Sequence, residues 1–149
     1  SFGELVRREI HGFEKVFEVG PVFRANPSFT SRHDTEFTGY DIQISFVESH
    51  QDIMLEEQRA IAHMLHCVKE PYGEEIQRHY GREVIVPSIL FPQVTMQEAK
   101  DILASRNITG EAEDDLSPEE ERALSEHVQQ EHGHEFVFVT EYPKKVRPF

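Results

Sequence analysis

The sequence lacks the features that define several large classes of protein. It contains one cysteine, Cys67, which excludes an internal disulfide framework and suits a reducing compartment. No apolar run approaches the roughly 18 residues that a membrane span requires. Residues 1–10 mix acids with arginines and lack an apolar segment, so they do not read as a signal peptide. We therefore expect a cytoplasmic protein that does not interact with membranes.

Positive charge is also scarce. The 15 basic residues face 28 acidic ones, which gives a formal net charge of −13. Residues 101–135 hold eleven acidic and two basic residues and so carry nine of these charges. This stretch is typical of a solvated helix with its leading loop, and an acidic docking surface is the alternative. The overall charge argues weakly against a general nucleic-acid binder but leaves room for a local anion site.

The order of apolar patterns indicates an α+β fold with an antiparallel sheet and flanking helices. At 149 residues the chain is one domain or a large piece of one. Alternating apolar residues predict strands over 15–25 and 36–47. The rest of the chain predicts a helix over 49–70, a short helix over 72–80, a strand over 82–89, helices over 95–106 and 117–128, and a strand over 135–142. Strand, loop, strand and then helices is the order of an α+β protein.

Three helix starts carry a capping-box pair, in which a hydroxyl and an acid three residues later exchange hydrogen bonds with the backbone. The pairs are Ser49 with Asp52, Thr95 with Glu98, and Ser117 with Glu120, the last followed by Pro118 at the first helical position. Helical spacing predicts that the apolar side of the first helix contains Ile53, Ile61, Leu65 and Val68.

The first two strands read as a hairpin with two different faces. One face contains Phe17, Val19 and Phe23 of the first strand and Tyr40, Ile42 and Ile44 of the second, and the last three are predicted to be buried. The other face contains Glu18, Gly20, Val22, Arg24, Phe37, Gly39, Asp41 and Gln43.

The second of these faces suggests an anionic ligand with an aromatic ring, such as a nucleotide. Two glycines leave part of this face without side chains, so a flat ligand has room there. Phe37 provides an aromatic ring for stacking, and the Arg24 guanidinium can donate two hydrogen bonds to a phosphate or a carboxylate. The same pattern also fits a surface arginine and a core phenylalanine. Since the sequence has no glycine-rich phosphate loop, a nucleotide would have to bind on the strands.

The hairpin resembles motif 2 of the class II aminoacyl-tRNA synthetases, in the version found in the shorter, archaeal-type aspartyl enzymes. The residues that carry the resemblance are "VFEVGPVFRA", "TSRH" and "TEFTGYD". The stretches "FPQVTMQEAKDIL", "DDLSPEEERAL" and "FVFVTEYPKKVRPF" resemble the same family in the same order. The resemblance covers residues 13–149 and implies a partial catalytic domain over 1–149, with the motif 2 hairpin at about 15–47 and helical and strand segments over 49–149.

The resemblance implies an aspartate–tRNA ligase. Such an enzyme uses ATP to convert L-aspartate to aspartyl-adenylate and then transfers the aspartyl group to tRNA. Its implied partners are ATP, L-aspartate and tRNA, with Mg²⁺ held by ligands outside this chain, and the parent protein is expected to be a homodimer. The alternatives are an asparaginyl-tRNA synthetase, whose residues around 37–43 typically differ, and a non-catalytic synthetase-like fragment or paralogue that acts as a binding module.

The resemblance also implies roles for individual residues. The implied catalytic residue is Arg24, which contacts the ATP α-phosphate and the aspartate carboxylate. The implied ATP-binding residues are Arg24, Ala25, Asn26, Arg32, His33, Asp34 and Phe37. The implied aspartate-binding residues are Arg24, Asp41 and Gln43. The residues implied at the tRNA acceptor end are Ser28, Thr30 and Arg32.

Several positions depart from the family pattern. Asn26 stands where the family usually has Glu, and Gln43 stands where an acid is common. Residues 1–12 lack the S-P-Q-x-x-K stretch that normally precedes the hairpin, and the chain stops at "VRPF", before the magnesium ligands and motif 3. We therefore expect these 149 residues alone to bind ATP no tighter than millimolar and to be inactive in aminoacylation.

The remaining reactive side chains predict no metal site. His63 and His66, like the group His127, His132 and His134, lack the spacing of a four-ligand site and are predicted to be surface histidines. Cys67 is predicted to be a small core residue. The basic residues Lys144, Lys145 and Arg147 are predicted to be solvated or packed structural cations.

Overall fold

The computed structural model describes residues 12–25, 34–88, 90–110 and 114–145. The chain forms two compact units, Ser1–Ile53 and Met54–Phe149, which are described separately below. Within the described ranges, no helix combines the length and the apolar character that crossing a membrane demands.

The first unit contains an antiparallel hairpin. Strand β1, Lys15–Phe23, pairs with strand β2, Glu36–Ile44. The register runs from Lys15 opposite Ile44 to Phe23 opposite Glu36. It continues at both ends, because the N–H of Arg24 donates to the carbonyl of Thr35 (2.9 Å) and the N–H of Ser45 donates to the carbonyl of Glu14 (2.8 Å). The predicted strand pairing is confirmed.

The register also confirms which residues share a face, but the predicted burial of Tyr40, Ile42 and Ile44 on the apolar face is wrong. Side chains of this face are well exposed: Phe17 by 60%, Phe23 by 70%, Tyr40 by 49% and Ile42 by 40%. Ile44 is half-buried. Alternation in a sequence shows which side chains point the same way, whereas burial requires a second layer, which the described residues do not supply here.

Helix α1, His50–Tyr80, is one element of 31 residues, so the two separate helices predicted here are wrong. Pro71 lies inside it and has no N–H, which leaves the carbonyl of Cys67 without its helical partner. The helix nevertheless continues for nine residues and ends before Gly81, whose positive φ of 63° and bond to the carbonyl of Gln77 (2.9 Å) are typical of a helix C-terminus.

The start of α1 is capped nearly as predicted. The Asp52 carboxylate accepts from the N–H of Ser49 (3.0 Å), but the Ser49 hydroxyl accepts from the N–H of Gln51 (3.3 Å) instead of that of Asp52. The predicted capping box is therefore only half formed.

The buried side of α1 differs from the predicted apolar stripe. Its buried residues are Met54 and Gln58, while Ile53 and Val68 are about 40% exposed. The Gln58 carbonyl oxygen accepts from the N–H of Phe91 (2.7 Å) and its amide donates to the carbonyl of Met54 (3.1 Å). Gln58 can be buried because both ends of its amide are hydrogen-bonded, whereas hydrophobic periodicity predicts a surface position for it.

The second unit contains a short parallel strand pair joined by two helices. Strand β3, Gln93–Thr95, pairs with strand β4, Phe138–Thr140. Helices α2, Met96–Ser105, and α3, Pro118–His132, form the crossover that a parallel pair requires. The predicted strand over 135–142 is thus confirmed only at its centre. The strand predicted over 82–89 is wrong for the described residues 82–88, which have no ladder partner there.

The core of this unit lies between α2 and α3. Ala99 and Leu103 of α2 pack with Ala123 and Leu124 of α3, and the strand residues Val94 and Val139 are among those that flank them. The capping boxes predicted at Thr95 and Ser117 are both confirmed. Hydrogen bonds from the backbone and side chain of Thr95 lower the pKa of Glu98 below its ordinary value.

Glu120 connects three parts of this unit. Its carboxylate is 1% exposed and accepts from the ammonium of Lys100 (2.8 Å) and from the N–H groups of Ser117 (2.8 Å) and Gly110 (3.1 Å). Lys100 also donates to the carbonyl of Asp115 (2.8 Å). Burial raises the pKa of Glu120, but the hydrogen bonds from Lys100 and Ser117 outweigh it, so the pKa lies below the ordinary value. The Glu120–Lys100 ion pair thus connects α2 with α3, and the further hydrogen bonds of the two side chains reach Gly110 and Asp115 between these helices.

Replacing Glu120 by Gln tests this ion pair. The change removes the charge of the buried carboxylate and places an amide NH₂ among the donors from which that carboxylate accepts, so the free energy of unfolding should fall by about 3 kcal/mol in urea titrations at pH 7. Because the pKa of Glu120 is lowered on folding, the deficit should shrink as the pH falls below about 4.3. The control is Glu119→Gln at an exposed position of the same helix turn, with a change within about 0.5 kcal/mol. Equal losses in both variants would contradict the assignment.

Candidate functional site

Arg24 and Phe37 lie on the same face of the hairpin. Arg24 continues the register opposite Thr35, and Phe37 pairs with Val22, so the two side chains are neighbours on adjacent strands. The guanidinium carbon of Arg24 lies 5.6 Å from the centroid of the Phe37 ring, within the range of a cation–π contact. Phe37 is 39% exposed, so the ring remains accessible. The predicted placement of these two residues on one face is confirmed.

Two glycines lie opposite each other next to this pair. Gly20 and Gly39 face each other in the ladder, between the Val22–Phe37 pair and the Glu18–Asp41 pair. A Cβ added at Gly20 would meet no atom within 4 Å, whereas a Cβ at Gly39 would lie 2.7 Å from Cγ2 of Val22. Gly39 thus permits the close packing of Val22, and Gly20 leaves open space. The surface beside the aromatic ring is low enough for a flat ligand to lie on it.

Asp41 and Gln43 occupy the other end of the same face. Asp41 is exposed and pairs with Glu18, and Gln43 pairs with the buried Val16. The carbonyl oxygen Oε1 of Gln43 is buried and has no hydrogen-bond partner, the single side-chain atom in this condition among the described residues. An unpaired buried acceptor costs about 1–3 kcal/mol. Gln43 is therefore a position where a ligand that donates a hydrogen bond would relieve a cost of the unliganded protein.

Replacing Gln43 by Leu should stabilise the unliganded protein. The variant removes the unpaired acceptor and keeps a side chain of similar size, so the free energy of unfolding should rise by about 1 kcal/mol in urea titrations. The matched control is Gln58→Leu, which strands the N–H of Phe91 and should lower this free energy by about 2 kcal/mol. A loss of stability in Gln43→Leu as large as that in the control would show that Gln43 has a partner.

Other predicted site residues lie on the connection between the strands. Ala25 and Asp34 are described and exposed. Asn26, Ser28, Thr30, Arg32 and His33 lie outside the described residues, so their places in the site stay predictions.

Cys67 is exposed, so its prediction as a core residue is wrong. Its sulfur lies 3.5 Å from Nε2 of His63, one turn earlier on the outer side of α1. His66 contacts Glu70 (3.4 Å) and is exposed, as predicted. Among the described residues, no group of three or more His, Cys, Asp or Glu side chains is arranged to hold a metal ion.

The histidines near the end of α3 divide into two kinds. His132 is exposed, and the partly exposed His127 lies 3.7 Å from Glu131. His134 is only 4% exposed, so its prediction as a surface histidine is wrong. Gly133, with a φ of 76°, ends α3 and allows the chain to turn, and the next residue packs against Phe91. Gly133 in the sequence indicates that the helix ends there, but a histidine that follows such a glycine gives no indication that it is buried.

Of the three basic residues after β4, Lys145 contacts the carboxylate of Asp114, and Lys144 is exposed. These two agree with the predicted structural or solvated cations. Arg147 lies outside the described residues.

The chain belongs to the class II tRNA synthetase family, since residues 7–149 match the family described as "tRNA synthetases class II (D, K and N)". It is 40% identical over 145 residues to an aspartate–tRNA(Asp/Asn) ligase of Aeropyrum pernix, covering 94% of this chain and 32% of the relative. It is 39% identical to an aspartate–tRNA(Asp) ligase of Picrophilus torridus, covering 93% of this chain and 31% of the relative. The resemblance inferred from the motif 2 residues is confirmed.

Solved structures show the same relationship. The aspartyl-tRNA synthetase of Entamoeba histolytica aligns with a TM-score of 0.81 and 29% identity, covering 97% of this chain and 30% of that protein. The asparaginyl-tRNA synthetase of Pyrococcus horikoshii, solved with asparaginyl-adenylate, aligns with a TM-score of 0.75 and 32% identity, covering 96% and 32%. The chain spans about a third of the length of the relatives that it matches.

Proposed function

We propose that the protein containing this chain is an aspartate–tRNA ligase and that the β1–β2 hairpin holds part of its ATP and aspartate sites. The observation that carries the proposal is the position of the Arg24 guanidinium, 5.6 Å from the Phe37 ring on one face of the hairpin. Support comes from relatives such as the Aeropyrum pernix ligase, 40% identical over nearly the whole chain. Cytoplasmic location and a homodimeric parent protein are parts of the same proposal.

Arg24 would act on the two anions that react. The ATP α-phosphate and the aspartate carboxylate repel each other, and a guanidinium that donates hydrogen bonds to both reduces this repulsion and aligns them. The aspartate carboxylate attacks the α-phosphorus of ATP, the bond from this phosphorus to the β-phosphate oxygen breaks, and pyrophosphate leaves. The step needs positioning and charge neutralisation more than a covalent catalyst, and the exposed Arg24 guanidinium at the end of β1 can supply both.

Phe37 would hold the adenine ring. Stacking of a base on an aromatic side chain contributes about 1–3 kcal/mol, and the exposed Phe37 ring beside Gly20 and Gly39 has room for it. In the unliganded protein the Arg24 guanidinium lies at this ring. Adenine would therefore take over the ring as the guanidinium moves to the phosphate.

Asp41 and Gln43 would bind the aspartate ammonium. Residues two apart on a strand lie about 7 Å from each other on one face, so one ammonium between them can reach a carboxylate and an amide oxygen. The unpaired Oε1 of Gln43 would gain the donor that it lacks.

The remaining roles rest on the resemblance. We propose that Ala25, Asn26, Arg32, His33 and Asp34 contact ATP, and that Ser28, Thr30 and Arg32 meet the tRNA acceptor end. Mg²⁺ is part of the proposal, but the described residues form no site for it, and its ligands are expected elsewhere in the full-length protein.

Replacing Arg24 by Ala in the full-length protein tests the central role. Aspartate-dependent exchange of pyrophosphate into ATP should fall by about 10²–10³, because the cation that contacts both reacting groups is lost. Arg24→Lys should recover part of this loss, since it restores charge without the fork. Arg59→Ala, at an exposed position of α1, is the control and should keep the wild-type rate. Exchange in Arg24→Ala within a factor of three of wild type would refute the role.

The same assay separates the alternatives. The similarity to the Pyrococcus horikoshii asparaginyl enzyme makes asparagine the competing substrate. Exchange that depends on asparagine and not on aspartate would overturn the proposed substrate. Wild-type protein that exchanges pyrophosphate with neither amino acid would favour a non-catalytic binding module.

A further inference from the structure

His134 belongs to a chain of hydrogen bonds in which the donor and the acceptor of each bond can be assigned. Its Nδ1 accepts from the backbone N–H of Phe136 (3.3 Å). A backbone N–H can only donate, so the proton of the neutral ring is on Nε2. Nε2 lies 3.3 Å from the hydroxyl oxygen of Ser88, and that hydroxyl donates to the carbonyl of Leu90 (3.4 Å). Donors therefore run from Phe136 through His134 and Ser88 to Leu90.

The direction of these hydrogen bonds excludes a catalytic serine–histidine pair and supports a structural role. A histidine that activates a serine needs a free lone pair on the nitrogen that faces the hydroxyl, and here that nitrogen carries the proton. The chain instead ties the residues before β3 to the residues before β4. Next to it, the N–H of Phe138 donates to the carbonyl of Pro92 (2.9 Å) and begins the parallel strand pair.

The surroundings of the imidazole are mainly apolar. The ring centroid of His134 lies 5.4 Å from that of Phe91 and 6.3 Å from that of Phe136. A cavity of about 310 Å³ borders the ring, and α1 contributes Leu65 and Ile76 to its wall. The titratable and charged groups near the ring are His132 at the end of α3, Arg82 and Glu83 after α1, and Glu135 next in the chain. Glu83 is engaged by Lys69 (3.4 Å).

We propose that His134 is an acid-sensitive latch, in which protonation of Nδ1 breaks the bond from Phe136 and loosens the attachment of Ser88 and residues 90–92 to residues 134–138. A protonated Nδ1 and the N–H of Phe136 are both donors and cannot bond to each other. The partly buried N–H of Phe136 then lacks its acceptor, and the charged ring must draw water through the adjoining cavity. Neither consequence arises for the exposed His132.

Electrostatics favour the neutral ring at pH 7. Burial, and after it the neighbouring His132, lower the pKa of His134 below its ordinary value. Since the folded-state pKa lies below the unfolded value of about 6.5, the stabilisation is complete above pH 6.5 and is lost as the pH falls through the folded-state pKa.

Hydrogen exchange of the full-length protein, measured by mass spectrometry between pH 8 and pH 5 and corrected for intrinsic rates, tests the latch. Protection of peptides that cover 88–92 and 134–138 should fall at least fivefold, because the partly buried N–H of Phe136 loses its acceptor. A peptide covering α2 is the internal control and should keep its protection. Protection at 134–138 that is independent of pH would overturn the proposal.

Two variants separate the latch from general acid effects. His134→Phe keeps an aromatic ring without a titrating group, so its protection at 134–138 should not change over this pH range. If this variant does not fold, His132→Gln gives the answer, because removing the neighbouring imidazole should move the transition to higher pH. A wild-type pH profile in His134→Phe, or an unmoved transition in His132→Gln, would contradict the proposal.

Discussion

The register of the β1–β2 ladder is the constraint on which the candidate site depends. Because side chains alternate along a strand, a slip of one residue between the strands would move every side chain of one strand to the opposite face. The observed register places Gly20 opposite Gly39 and keeps Arg24 and Phe37 on the same face. The ladder is extended by backbone bonds at Arg24 and Ser45, so both ends of the site face are held by the same pairing.

The site face combines groups that are unfavourable for stability and suited to binding. Glycines in a strand interior weaken a sheet, and the buried Oε1 of Gln43 has no partner. The core of the second unit, by contrast, satisfies the buried carboxylate of Glu120 with three donors. The contrast is the one expected between a surface shaped for a ligand and a core shaped for stability.

Local patterns in the sequence predicted the local features well. Alternation predicted the hairpin and its faces, and serine or threonine followed by glutamate predicted the starts of α2 and α3. Motif 2 residues predicted the family. These features depend on neighbours in the chain or on one strand pair, and a short window of sequence contains the required information.

Features that depend on distant contacts were not predicted. The sequence gives no sign that Gln58 is buried by the N–H of Phe91 or that Glu120 is reached by Lys100. The burial of His134 has the same origin, since tertiary packing outweighs local preference. The helix also continues through Pro71, where the neighbouring side chains are exposed, and nothing in the local sequence pattern indicated this. The hairpin face that contains Phe17 and Tyr40 is the opposite case. Its sequence pattern is apolar, but none of the described residues forms a layer that covers it.

The central claim is that one face of the hairpin binds ATP through Arg24 and Phe37. The most direct measurement is a crystal structure of the full-length protein with a non-hydrolysable ATP analogue. We expect the adenine ring to lie against Phe37 and the α-phosphate to lie within hydrogen-bonding distance of the Arg24 guanidinium. An analogue bound elsewhere, with the Arg24 guanidinium still lying at the Phe37 ring, would contradict it.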